Sequence, residues 1–132
     1  MFEKFNYSSE QINKYYQAAA KDLRLAISAG APEVVFYICY NVIVKTAMAV
    51  CAKNNLRVKS RAGHHTELIS KLAEYLEDPE IEDTANKMRT KRNRDLYDGG
   101  TTTSIKEAEV YILFCKKLVK KADAYLFPDK LL

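Results

Sequence analysis

The residues of this 132-residue sequence that could do chemistry are concentrated in one short cationic stretch. Five basic residues occupy an eight-residue window: Lys87, Arg89, Lys91, Arg92 and Arg94. Such a density of cations is typical either of a solvated helix face or of a surface that binds phosphate groups. The whole-chain charge does not decide between the two, because the formal net charge is only +4.

Arg92 differs from the other four because helical spacing places it on an apolar stripe. At about 100° per residue it shares a face with Ile81, Ala85 and Met88. An unpaired guanidinium on such a face is costly, so it needs a partner. That partner is either Asp95, in an intrahelical ion pair, or a phosphate that the planar guanidinium holds with two hydrogen bonds. From the sequence alone, the intrahelical ion pair with Asp95 is the favoured alternative.

The absence of other known motifs argues against most other familiar kinds of functional site. The pair Gly99-Gly100 follows a predicted helix and lacks the Gly-Lys-Ser/Thr ending of a phosphate-binding loop. No H-E-x-x-H motif, Glu-x-x-His pair or Cys/His cluster indicates a metal, and we expect no cofactor. The only histidines are His64 and His65, and adjacent residues of a helix or loop point in different directions.

Three segments together resemble a known family. Residues 92–100, with the sequence RNRDLYDGG, precede a capped last helix. They resemble the signature segment of HEPN domains, which has Arg, a polar residue, a few variable residues and then His. Two upstream segments are also similar to segments that the family has at the corresponding positions. They are the aromatic-rich helix at 36–41 and the start of a short helix at Gly63-His64-His65. The resemblance covers about residues 15–126 and implies a HEPN-like helical bundle.

The resemblance assigns roles to three residues. Arg92 matches the signature Arg, Asn93 matches the polar residue, and Tyr97 stands where the family has His. It implies a homodimer whose two motifs meet in a cleft and, in active members, a metal-independent endoribonuclease. Arg92 would hold the scissile phosphate, Asn93 would orient it, and Tyr97 would replace His as the acid–base group. Since Tyr has an unperturbed pKa near ~10, His64 or His65 is an alternative source of a base.

The resemblance also implies partners. Independently of the resemblance, the other basic residues could widen a positive surface for the RNA backbone or for an acidic partner protein: Lys87, Arg89, Lys91 and Arg94. In toxin–antitoxin members of the family, a partner nucleotidyltransferase adenylylates a tyrosine close to the signature His, so Tyr97 resembles such an acceptor. The alternative is that Tyr97 only anchors the end of its helix before Gly99.

The elements that position these residues are predicted to be helices. N-caps and capping boxes at Ser8, Asp78 and Ser104, and Pro32 at a first helical position, mark helix starts. Gly30 is the expected end of the first helix. Polar residues 54–63 predict a loop, with a second basic stretch around it: Lys53, Arg57, Lys59 and Arg61.

No segment alternates with period two for long enough to predict a strand. We therefore predict one all-α domain over residues 1–132, an up-and-down antiparallel bundle of four long helices and one short helix. The last helix has the clearest apolar stripe: Ile105, Ala108, Ile112, Cys115, Val119, Ala122 and Leu126.

The apolar run, the cysteines and the first residues together favour a cytoplasmic protein without a membrane span. The nearly continuous apolar run over 34–52 contains Asn41 and Lys45, which favours a central bundle helix. Three cysteines without a C-x-x-C pair, and a start without an apolar leader, argue against a secreted disulfide scaffold.

Three functions stay open on these grounds. The first is a HEPN-type toxin or defence component that cleaves RNA and whose expected partner is a nucleotidyltransferase antitoxin. The second is a non-catalytic HEPN module that binds a nucleotide, RNA or a nucleotidyltransferase. The third is a helical interaction protein in which Asp95 pairs with Arg92.

Overall fold

The structure, a computed structural model, describes residues 2–59, 64–97, 99 and 102–131, with the backbone alone at 97, 130 and 131. Within these ranges the chain forms five α-helices: α1 (Ser9–Ser28), α2 (Pro32–Lys53), α3 (His64–Tyr75), α4 (Pro79–Tyr97) and α5 (Ile105–Leu126). A 3-10 helix over Pro128–Leu131 follows α5. The protein is therefore predominantly helical, as its sequence predicts.

The expectation of no strands is wrong at two places. Strand β1 (Phe2–Lys4) pairs antiparallel with β2 (Leu56–Val58), with Phe2 opposite Val58 and Lys4 opposite Leu56. Strand β2 lies inside the segment predicted to be a loop. Strands of three residues are too short to show an alternating pattern, and this one is defined by pairing with a distant part of the chain.

Capping residues at the predicted positions begin two of the helices. The Ser8 hydroxyl accepts a hydrogen bond from the Gln11 backbone N–H at 3.1 Å, and the Gln11 side chain accepts one from the Ser8 N–H at 2.9 Å. Ser104 and Glu107 form the same reciprocal pair at the start of α5. Pro32 is the first residue of α2, where its missing N–H costs no helical hydrogen bond.

The start of α4 agrees with the prediction from local sequence, whereas the end of α1 does not. Asp78 begins α4 as expected, because its carboxylate accepts from the Glu80 backbone N–H at 3.1 Å. Helix α1 ends earlier than Gly30. Its last residue is Ser28, and Ala29 follows in an extended conformation that needs no glycine.

Helix α2 is the centre of the described structure and contacts each of the other four helices. Its buried residues occur on most sides of the helix, including Phe36, Tyr40, Ile43, Thr46 and Val50. By length and composition α2 could also cross a membrane, and 61% of its most apolar stretch is buried inside the protein. The charged Lys45 is satisfied by Asp22 of α1, with its Nζ 2.6 Å from the carboxylate.

Helix α5 packs on both α2 and α1, so its wide apolar stripe serves two neighbours. Most of the predicted stripe is buried: Ala108, Cys115, Val119, Ala122 and Leu126. Ile105 is an exception, since 71% of it is exposed. Together with Val110 and Leu113, it leaves an apolar surface on the outside of α5.

Candidate functional site

The basic window of α4 is divided between the surface and the interior. Lys87 and Arg94 are exposed, Arg89 and Arg92 are half-buried, and Lys91 is buried. The five cations therefore do not form a single solvated face. Their different burial follows from helical geometry, because successive residues of a helix point in different directions.

Lys91 lies in the interior and makes an ion pair there. Its Nζ is 3.6 Å from the carboxylate of Asp95, and it lies 5.1 Å from the centre of the Phe36 ring. Both side chains of the ion pair are almost fully buried. Asp95 is therefore the partner of Lys91, whereas the residues alone favoured it as the partner of Arg92.

Arg92 instead lies over an aromatic ring of α2. Its guanidinium carbon is 5.4 Å from the centre of the Tyr40 ring, a cation–π distance. Among the residues that the structure describes, no carboxylate forms an ion pair with Arg92. Its planar set of N–H donors is therefore not neutralised by an acidic side chain in this part of the chain.

The start of α3 brings an imidazole to the same place. His65 Nδ1 and the Tyr40 hydroxyl are joined by a hydrogen bond of 2.9 Å, whose direction depends on the tautomer of the imidazole. The His64 ring meets the His65 ring nearly edge-on, with centroids 4.5 Å apart. Helices α2, α3 and α4 thus place a phenol, an imidazole and a guanidinium together.

Burial and the nearby positive charges determine the protonation of His65 and Tyr40. Burial lowers the pKa of His65, and the positive charges of His64, Arg92 and Arg89 lower it further. Burial raises the pKa of Tyr40, and the two arginines oppose that rise. At neutral pH we therefore expect a neutral imidazole and a protonated phenol beside two permanent positive charges. This combination suits an anionic ligand and a proton transfer at His65.

Comparison with known proteins adds no name to this geometry, since no family model, curated protein or solved structure matches the chain.

The other residues singled out in the sequence surround this cluster or lie outside the described side chains. Asn93 is half-buried beside Arg92 on α4. Arg89 directs its Nε towards the Asn86 side chain, to which it donates a hydrogen bond at 3.3 Å. Tyr97 is the last residue of α4, and its side chain lies outside the described atoms, so its predicted roles as acid–base group and adenylylation acceptor have no geometry here.

Tyr40 was not predicted as part of the site, and His65 was only an alternative. The useful signal was the order of three short segments: the aromatic run in α2, the histidine pair and the arginine segment. The two adjacent histidines have different neighbours, although their rings are in contact. His65 bonds to Tyr40, while His64 lines a pocket between α1, α2, β2 and α3. No group of three metal-ligating side chains occurs among the described residues.

Proposed function

We propose that the chain is a HEPN-type RNA-binding protein that cleaves RNA without a metal ion and serves as a toxin or defence component. The observation that carries this proposal is the convergence of Arg92, Arg89, His65 and Tyr40 from three helices. The finer architecture belongs to the same proposal: a HEPN-like, up-and-down antiparallel bundle of four long helices and one short helix.

Arg92 binds the RNA phosphate in this proposal. A guanidinium presents paired N–H donors that match two phosphate oxygens, and this geometry is stronger and more directional than a lone ammonium. The Tyr40 ring lies within cation–π distance of the guanidinium carbon. Arg89 adds a second positive charge to the same place. Lys91 is left out of the binding surface because Asp95 holds its ammonium inside.

His65 is the proposed acid–base group. In the tautomer whose Nδ1–H donates to the Tyr40 oxygen, Nε2 carries a free lone pair. That nitrogen takes the proton of a ribose 2′-hydroxyl as the 2′-oxygen attacks phosphorus. The bond between phosphorus and the 5′-oxygen breaks, and the leaving 5′-oxygen takes a proton from the solvent. A pKa below that of a free imidazole keeps His65 unprotonated and ready to act as this base.

A homodimer in the cytoplasm is part of the proposal. The exposed apolar residues Ile105, Val110 and Leu113 of α5, with Leu96 of α4, offer a surface for a second copy. Pairing there would bring the end of one signature segment close to the interface. Tyr97 would then complete the cleft, and a partner nucleotidyltransferase would modify it.

The replacement of the signature His by Tyr97 favours a second candidate. A HEPN-type module without catalysis would use the same arginines to bind RNA or a nucleotide. A purely structural helical protein, in which Asp95 would pair with Arg92, is the third candidate, and the ion pair of Asp95 with Lys91 weighs against it.

Binding and cleavage of short single-stranded RNA test these functions together. Arg92→Gln should weaken binding about tenfold or more, since it removes a charge-assisted phosphate contact. Lys120→Gln, the same charge change on an exposed position of α5, should leave binding unchanged. Fluorescence anisotropy measures affinity, and gel electrophoresis in the presence of EDTA measures cleavage.

The outcomes separate the candidates. Cleavage by the native protein that His65→Gln abolishes, with binding retained, supports the ribonuclease. Binding by the native protein without cleavage supports the non-catalytic module and refutes the assigned role of His65. Equal binding by the Arg92 and Lys120 variants overturns the proposed phosphate site. Absence of RNA binding by the native protein leaves the structural protein.

A further inference from the structure

A separate pocket adjoins the candidate site on the other side of the histidine pair. It lies between α1, α2, β2 and the start of α3, and its volume is about 360 Å³. That volume falls within the range typical of small-molecule sites, roughly 300–1,000 Å³. Arg92, His65 and Tyr40 do not line this pocket.

Two tyrosine rings form one wall of the pocket. Tyr7 and Tyr15 meet edge to face, with ring centroids 5.9 Å apart and planes at 73°. Burial and the neighbouring Tyr15 raise the pKa of Tyr7 to about 12, so its hydroxyl keeps its proton at physiological pH. The wall therefore offers flat aromatic surface together with the neutral Tyr7 hydroxyl, which can donate and accept hydrogen bonds.

Apolar side chains line the interior of the pocket. Met48, Cys51 and Leu68 contribute to it. Burial raises the pKa of the Cys51 thiol to about 12, so this cysteine is uncharged and behaves as an apolar surface. The interior of the pocket therefore favours an uncharged, flat group over a charged one.

Positive charge lies on one side of the same pocket. Lys59 is exposed, and among the described residues no carboxylate forms an ion pair with it. Arg57 also lines the pocket, but it is paired with Glu3 across the small sheet. His64 adds an imidazole that is in ring contact with His65. The pocket thus combines an apolar, aromatic interior with a cationic side.

We infer that this pocket holds the base of an RNA nucleotide adjacent to the phosphate held at Arg92. A nucleobase is flat, stacks on aromatic rings and carries hydrogen-bonding edges, while its phosphate is anionic. The contact between the His64 and His65 rings, with centroids 4.5 Å apart, links the pocket to the phosphate site. The inference rests on the proposed function and adds to it a determinant of which nucleotide is bound.

Matched variants test the pocket against the phosphate site. Tyr15→Leu removes a ring from the wall, and we expect it to weaken binding of short single-stranded RNA about tenfold. Tyr16→Leu is the control, because the neighbouring Tyr16 packs on Phe127 instead of lining the pocket. Lys59→Gln should also weaken binding and reduce its salt dependence, whereas Lys53→Gln should do neither.

Competition experiments test whether the base is what the pocket recognises. Adenosine, guanosine, cytidine and uridine 5′-monophosphates should displace a fluorescent RNA with different affinities, and ribose 5-phosphate should be much weaker. Tyr15→Leu should remove the differences among the four nucleotides. Circular dichroism checks that each variant is folded, and the exposed Lys59 variant serves if Tyr15→Leu does not fold.

The failure of the inference is distinct from the failure of the proposed function. If Arg92→Gln abolishes RNA binding while the Tyr15 and Lys59 variants bind like their controls, the phosphate site stands and the base pocket is refuted. If ribose 5-phosphate competes as well as the nucleotides do, the base is not recognised and the inference also fails. If Arg92→Gln binds RNA normally, the proposed function fails first.

Discussion

The buried ion pair of α4 gives the sharpest test of how this helix is held. Lys91 and Asp95 have side chains that are only 9% and 4% exposed, with Nζ and Oδ2 3.6 Å apart. At an effective dielectric constant of about 20, that separation corresponds to roughly 4–5 kcal/mol of attraction. The attraction offsets the cost of removing two charges from water, so the intact pair adds little net stability.

Asp95→Asn removes the negative charge while keeping the shape of the side chain. The Lys91 ammonium is then buried beside a neutral amide, and its contact with the Phe36 ring replaces only part of the lost attraction. We expect the free energy of unfolding to fall by about 3 kcal/mol, the lower end of the cost of breaking a buried pair. Urea denaturation monitored by circular dichroism measures the change.

Asp83→Asn is the matched control, because Asp83 is an exposed residue of the same helix. It should change the free energy of unfolding by less than about 0.5 kcal/mol. If the two variants unfold at the same urea concentration, the buried pair does not hold α4 in place. The assignment of Lys91 to the interior would then be refuted, and its predicted role in binding phosphate would be restored.

Three other measurements test separate parts of the structure. Because the pKa of His65 is lowered in the folded protein, the unfolded chain binds more protons as pH falls below about 6.5. Stability should therefore decline with acidification through this range, and less steeply in His65→Gln, as urea titrations at several pH values would show. Ser104→Ala removes an acceptor from the first turn of α5 and should cost about 1 kcal/mol, with a smaller urea midpoint as the readout. All three cysteine thiols are buried, so a thiol reagent such as DTNB should react only after denaturant is added, and rapid reaction in native buffer would contradict that burial.

Local signals were enough to predict most of the helical structure. The capping boxes at Ser8 and Ser104 and the proline at 32 depend only on neighbours a few residues away, and the structure confirms all three. Apolar spacing also predicted the buried residues of α4, including Ala85 and Met88. These features are local because a helix satisfies its backbone within itself.

Distant contacts explain what the sequence did not predict. The two strands exist only because residues near the N-terminus meet the segment after α2. The hydrogen bond between Tyr40 and His65 likewise depends on how α3 packs against α2, and periodicity within one helix carries no such information. Spacing within α4 placed Arg92 on the apolar stripe, but Lys91 is the buried cation and Arg92 is only half-buried. The packing of α4 against the other helices decides which of the two adjacent residues faces the interior, and spacing within one helix does not report it.

The adjacent residues Lys91 and Arg92 lie in different environments, which suggests that one stabilises α4 and the other binds the ligand. Lys91 is held inside by Asp95, and the next residue then projects its guanidinium over Tyr40, beside His65. If the pair serves only to fix the helix, apolar residues of similar size should serve as well. We therefore expect Lys91→Met combined with Asp95→Leu to restore the stability lost in Asp95→Asn and to bind RNA like the native chain. Restored stability with lost RNA binding would instead assign Lys91 to the binding site.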